Sequence, residues 1–199
     1  MPLIKSPCLM IKPGALGDTL LCSYLIFEIA KQDPDTKLVF AGTTKYAVLM
    51  EKMENIKEIV DFGSTFFIPL FYKKLENQDK LASYLEKFSS CICGVHNQNL
   101  KNHLKEIFSD LIFLPSNKNL VTGKSAALQY IQAVYPDVEN LSTSSINILG
   151  RPANAPSIFD KHPVIFHPGS GSLYKNWPVN KFITLAKEIR QMGLPVLFI

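Results

Sequence analysis

The sequence predicts an α/β fold built from doubly wound parallel sheets, and three observations carry that reading. Short apolar runs rich in β-forming residues alternate with segments of helical periodicity along all 199 residues. The runs are continuously apolar rather than alternating, as expected of strands covered on both faces. Two of them, Cys8 to Ile11 and Val164 to Phe166, lead directly into glycine loops that open helices: Pro13-Gly14-Ala15-Leu16-Gly17-Asp18 and His167-Pro168-Gly169-Ser170-Gly171-Ser172. A strand, a glycine loop and a helix start together place backbone N–H groups and a positive helix end against an anionic ligand. Two such units in one chain predict a cleft between two α/β domains.

Strands are expected over residues 8–12, 37–41, 58–62, 90–95, 110–114, 164–167 and 195–199. Helices are expected over about 18–32, 44–53, 76–88, 99–107, 125–135 and 178–192. The first helix should stop at Asp33-Pro34-Asp35, because proline cannot continue it. That triplet has the spelling of a metal-binding DxD, but its place at a helix end marks a stop and turn. Pro178 suits the first turn of the last helix.

Residues 136–162 lose this periodicity and gather Pro136, Ser142 to Ser145, Pro152 and Pro156. They divide the chain into an N-terminal Rossmann-like domain (1–145), a linker (146–162) and a short second unit (163–199). A unit of one strand, one helix and one strand cannot cover its own sheet, since domains below roughly 40 residues seldom fold without support. The closing run Pro195 to Ile199 reads as a buried strand with no turn or covering helix after it. The expectation is therefore a chain whose second domain is incomplete.

Composition excludes several classes. With 47% hydrophobic and 19% charged residues the chain is an ordinary globular protein rather than a disordered one. The net charge is +4, but only Arg151 and Arg190 among the 21 basic residues are arginine, which argues against bidentate reading of bases and hence against nucleic acid. Mild basicity suits a phosphate-bearing ligand or an anionic membrane surface. Cys8, Cys22, Cys91 and Cys93 lie in apolar surroundings and read as buried reduced thiols. In Cys91-Ile92-Cys93 strand alternation sends both side chains to one face, and no second cysteine pair exists to complete a zinc site. No signal peptide and no apolar stretch long enough to span a bilayer is present, so a cytoplasmic protein is expected.

Asp18 has two readings. It can cap the helix by accepting hydrogen bonds from the first N–H groups, or it can be a carboxylate at the mouth of the cleft that removes a proton from an acceptor hydroxyl. Gly14 and Gly17 would let the backbone turn sharply and approach a ligand. The loop His167 to Lys175 is either a diphosphate cradle, with Ser170, Gly171 and Ser172 donating hydrogen bonds and Lys175 neutralising charge, or a surface loop with a solvated lysine. Trp177 reads as a packing anchor beneath that loop. Gly123-Lys124-Ser125 fails as a phosphate-binding P-loop because the required glycine at position 118 is Lys118, and a dinucleotide pattern from Gly169 fails at Tyr174. His96 and His103 lack a carboxylate or cysteine at ligand spacing and read as ordinary polar residues. The stretch Phe66 to Lys74 reads as a partly buried loop and helix beside the cleft, with contact to a lipid surface as the other reading.

Taken together, the motifs resemble glycosyltransferase family 9, the heptosyltransferases of the lipopolysaccharide inner core. Ile11-Lys12-Pro13-Gly14-Ala15-Leu16-Gly17-Asp18-Thr19-Leu20-Leu21 is similar to that family's opening strand, GxxGD turn and first helix. Pro34-Asp35 before the second strand fits as well. His167 to Ser172, followed by Lys175-Asn176-Trp177-Pro178 and Phe182, is similar to the start of its second domain. The resemblance implies a GT-B fold and metal-independent, inverting transfer of a sugar from an ADP-activated donor to a lipid-linked sugar acceptor. It requires no cofactor. It implies Asp18 as general base and Lys175 as the group that stabilises the departing diphosphate, with Ser170 and Gly171 beside it. The later part of the family's second domain, which carries a D-x-G-x-x-H-like loop and most nucleotide contacts, has no counterpart in these residues. A monomer in peripheral contact with the inner face of the cytoplasmic membrane would suit such an acceptor. Competing readings are a non-catalytic α/β nucleotide-binding remnant of such an enzyme and a GT-B sugar-nucleotide epimerase.

Overall fold

The computed structural model describes residues 4–73, 79–116, 119–141, 163–169 and 176–199. The chain divides into two compact units, Met1–Gly150 and Arg151–Ile199. The expected linker over 146–162 lies outside the described residues.

The first unit is a parallel five-stranded sheet. Its strands are β1 (Cys8–Ile11), β2 (Leu38–Gly42), β3 (Ile56–Asp61), β4 (Ser90–Cys93) and β5 (Leu111–Phe113), in the spatial order β3-β2-β1-β4-β5. β1 is central, with Cys8 to Ile11 paired to Leu38 to Ala41 on one side and to Ser90 to Cys93 on the other. All four of its residues are fully buried, whereas the edge strand β3 has only half-buried and exposed positions. A strand with neighbours on both sides and helices on both faces has no polar direction left to point in, which is why β1 is apolar at every position.

Alternation divides the core in two. Cys8, Met10, Leu38, Phe40 and Ile92 face α1 (Leu16–Gln32) and α5 (Ala126–Gln132), meeting Cys22, Leu25, Ile26, Ile29, Tyr130 and Ile131. Leu9, Ile11, Val39, Ala41, Cys91 and Cys93 face the other way, toward Leu81 and Leu85 of α3 (Asp79–Leu85) and Leu100 and Leu104 of α4 (Gln98–Ile107). In α1 the buried positions Cys22, Leu25, Ile26 and Ile29 keep helical spacing, so one stripe meets the sheet. The helix ends at Asp33, whose N–H bonds to Ile29 O at 2.8 Å before Pro34. The expected stop at Asp33-Pro34-Asp35 is thus a helix end, and Asp33 also accepts a 2.7 Å hydrogen bond from the Tyr135 hydroxyl. Asn97 caps α4, its side chain accepting from Leu100 N at 3.1 Å.

One segment differs from the sequence reading. The helix expected over 44–53 is a single α-turn, α2 (Thr44–Ala47), followed by a 3-10 helix over Val48–Lys52. Thr65–Phe71 forms a second 3-10 helix that buries Phe67, Pro69 and Leu70 and exposes Phe66, Ile68 and, just beyond it, Tyr72. Pro69 has no N–H to give a longer helix, so the tighter turn is kept short.

The second unit contains β6 (Val164–Phe166), α6 (Val179–Gln191) and β7 (Val196–Phe198), with the two strands parallel. Phe166 packs on Phe182 at 5.6 Å and on Phe198 at 5.3 Å between ring centroids, and Trp177 meets Phe182 edge to face at 4.9 Å. Trp177 keeps 43% of its exposure, and residues 170–175 of the loop that it is expected to anchor lie outside the described residues. Ile165, Val179, Ile183 and Phe198 remain exposed, consistent with one helix being too little to cover a sheet. Among the described residues no helix is long and apolar enough to cross a membrane.

All four cysteines are buried free thiols. Burial pushes Cys8 and Cys22 up to about 12 and Cys93 to about 11, and raises Cys91 well above the usual thiol range. Native protein at pH 8 should therefore take up almost no alkylating reagent, and all four thiols should react once denaturant is added, as counted by intact mass. Rapid labelling of any one in the native state would show that its side of the core is open.

Candidate functional site

In an open parallel sheet, ligands bind beyond the carboxyl ends of the strands, at the point where strand order reverses. Here the chain leaves β1 toward β2 and β3 and later returns to place β4 on β1's other side, so that point lies beyond β1 and β4. Lys12 and Gly94 are the first residues past these two strands. Gly94 N bonds to Ile11 O at 2.8 Å, and Lys12 N bonds to Ala41 O of β2 at 2.9 Å. The turn that follows is tied to β2 by Gly14 N donating to Thr43 Oγ1 at 3.2 Å.

Asp18 sits in the first turn of α1, where the helix dipole favours negative charge. Its Oδ1 pairs with Lys12 Nζ at 3.2 Å, and its Oδ2 accepts from Ala15 N at 3.3 Å. The Asp18 side chain keeps 24% of its exposure while that of Lys12 keeps 8%. The carboxylate is thus partly open to solvent and its cation is almost enclosed. The Lys12 ammonium also lies 5.8 Å from the centre of the Tyr130 ring.

The capping reading and the carboxylate reading of Asp18 meet in this geometry. Asp18 is the third helical residue rather than the cap itself, and it closes back on the N–H of the capping residue, Ala15. That contact uses one oxygen and leaves lone pairs free.

The glycines border the pair in different ways. Neither Gly14 nor Gly17 adopts the left-handed backbone that a sharp glycine turn would use; that conformation belongs to Gly123 and Gly193. Gly14 is small because a Cβ there would lie 2.8 Å from Asp18 Cβ and 2.9 Å from Oδ2. At Gly17 a Cβ would meet only open space. Gly94, which the sequence reading passed over, has the same logic as Gly14: a Cβ would overlap Lys12 Cδ and lie 3.0 Å from Cε.

Lys12 was also passed over as a site residue. The available signal was an ionisable residue ending an otherwise fully apolar central strand, six positions before a carboxylate. His96, just past β4, is held below its ordinary value by burial first and then by the Lys101 ammonium, with the Leu114 backbone opposing and Lys12 adding a smaller downward push. Ser170, Gly171, Ser172 and Lys175 lie outside the described residues. Among the described residues no group of three His, Cys, Asp or Glu side chains is placed to hold a metal ion.

The chain has an α/β, GT-B-like architecture with a Rossmann-like first sheet. Over its whole length it superimposes on a structure described as the glycosyl transferase family 9 from Veillonella parvula DSM 2008, with a TM-score of 0.69 and 18% identity, covering 63% of that chain. It is also similar to the E. coli heptosyltransferase WaaC with ADP-2-deoxy-2-fluoro heptose (TM-score 0.60, 10% identity, 96% of this chain and 68% of that one). E. coli ADP-heptose lps heptosyltransferase II gives a TM-score of 0.59 at 16% identity, over 96% of this chain and 63% of that one. No family model and no curated protein matches the sequence. The likeness is one of fold, and the chain spans 63% of the length of the family 9 structure from Veillonella.

Tyr130 and Tyr135 offer a contrast within this packing. Tyr130 is fully buried with the Lys12 ammonium acting on its hydroxyl, whereas Tyr135 donates to Asp33. Tyr130→Phe, which keeps the ring beside Lys12, should cost less than Tyr135→Phe, for which about 1–2 kcal/mol in denaturant unfolding is expected. Equal losses would mean that the Tyr130 hydroxyl is held as firmly as that of Tyr135.

Proposed function

We propose that the chain belongs to a sugar-nucleotide-dependent glycosyltransferase that moves a sugar, heptose being the best fit, from an ADP-activated donor to a lipopolysaccharide-core or related cell-envelope glycolipid. The observation that carries this reading is Asp18: a partly exposed carboxylate held at the sheet's reversal point, on a fold shared with solved glycosyltransferases. Two of those structures are described with ADP-2-deoxy-2-fluoro heptose and with ADP, which supports a nucleotide-sugar donor.

The chemistry follows from the residue types. The Asp18 carboxylate accepts the proton of the acceptor hydroxyl as its oxygen bonds to the donor's anomeric carbon. The bond from that carbon to the diphosphate oxygen breaks, and ADP departs with the electron pair. One displacement inverts the anomeric configuration, and no step calls for a metal. Lys175, with Ser170, Gly171 and Ser172, would neutralise the charge that grows on the diphosphate. Gly14 and Gly17 border the carboxylate. A cytoplasmic protein at the inner face of the membrane, acting as a monomer, would meet both substrates.

Asp18→Asn, assayed in the protein as the cell makes it, should lower transfer by at least ~10²-fold, the scale of a lost general base. ADP affinity by calorimetry should change little. Transfer retained near the wild-type rate would remove Asp18 from this role. Binding of ADP by the wild-type protein with no transfer to any lipid-linked sugar would favour the non-catalytic nucleotide-binding reading.

A further inference from the structure

A lysine ending a central strand calls for an explanation. The residues before it are fully buried, and an ammonium withdrawn from water stabilises the fold only when its partner geometry is excellent. An apolar side chain of similar length would fill the same space without that cost. Yet three neighbours are shaped around Lys12. The β2 carbonyl of Ala41 fixes its backbone, Gly94 withholds a side chain where the Lys12 stem passes, and the Tyr130 ring of α5 lies beside its ammonium. Beside them, Nζ lies 3.2 Å from Asp18 Oδ1.

We propose that Lys12 is a positioning residue for the transfer reaction: its enclosed ammonium fixes the Asp18 carboxylate through Oδ1 and so aims the remaining lone pairs at the acceptor hydroxyl. The inference rests on the reading of Asp18 as the base. Lys12 does not touch substrate in this role. With Oδ1 held by the ammonium and Oδ2 by the Ala15 N–H, the carboxylate has one orientation rather than several, and a base misplaced by an ångström can lose ~10²-fold in rate. Gly94 belongs to the same device, because any side chain there must displace the lysine stem.

The test compares Lys12→Met, Gly94→Ala and Asp18→Asn in the protein as the cell makes it, with steady-state kinetics on an ADP-sugar donor and a lipid-linked sugar acceptor. Lys12→Met keeps the apolar stem and removes only the charge. It should lower kcat by ~10- to 100-fold while leaving the donor KM within about twofold and the melting temperature near wild type. Gly94→Ala should lower kcat in the same sense with the lysine still present, and it carries the test if Lys12→Met does not fold. A wild-type kcat in Lys12→Met overturns the proposal. So does a loss confined to donor KM, which would make Lys12 a phosphate ligand. Asp18→Asn separates the two levels: if it retains transfer, the reading of Asp18 itself fails, whereas an inactive Asp18→Asn beside a fully active Lys12→Met removes only the role of Lys12.

Discussion

One buried charge organises the carboxyl edge of the sheet. Lys12 leaves the central strand with its side chain enclosed, and an ammonium in that position must be met by an anion within reach. Asp18 meets it, which fixes where the first turn of α1 can sit. Gly14 must then be small so that Asp18 can lie against it, and Gly94 must be small so that Lys12 can reach. Residues on two neighbouring strand ends and one helix turn are thus set by one electrostatic requirement. The two partners are not equivalent: truncating Asp18 would leave the enclosed cation without its partner, whereas removing the Lys12 charge leaves a carboxylate that is partly open to water.

The pair sits where it does because of the strand order. β1 has β2 on one side and β4 on the other, and the connections leave in opposite directions, so no crossover covers the space beyond these two strands. Only there can a side chain be anchored by a buried strand and still present a partly open carboxylate. Asp33, at the far end of α1, carries the same side chain but accepts a hydrogen bond from the Tyr135 hydroxyl. Its position, not its chemistry, removes it from the site.

Much of this was legible in the sequence. The buried strands β1, β2 and β4 fall where apolar runs put them, because a strand buried on both faces must be apolar and that signal needs no tertiary information, whereas the edge strand β3 carries Lys57, Glu58 and Asp61 and begins two residues before the expected start. The helices were less exact. Thr44 to Lys52 changes from α to 3-10 partway, and Thr65 to Phe71 is a 3-10 helix whose apolar run carries no helical period. At the site, the motif around Asp18 stood out because glycine and aspartate at a strand-to-helix junction are locally meaningful. At Gly14 the structure adds a reason for small size that no local pattern shows, the Asp18 side chain packed against it. Lys12 and Gly94 escaped because their significance is a contact between residues more than 80 positions apart, which a local pattern cannot encode.

The same distinction governs what the likeness to known structures can carry. At 10–18% identity the fold persists because it requires only apolar residues of suitable size at alternating or helical spacing, and many sequences satisfy that. A fold shared on those terms is compatible with many chemistries, since function resides in sites rather than in layers of strands and helices. What narrows the choice in this chain is local. A carboxylate with a dedicated buried cation, placed beyond the reversal point of the sheet and backed by glycines cut to its shape, is suited to taking up a proton from a substrate held in front of it. Simple helix capping would need the Ala15 contact but neither Lys12 nor the space kept clear by Gly94. The excess of structure over what capping requires is what makes Asp18 the residue on which the catalytic reading turns.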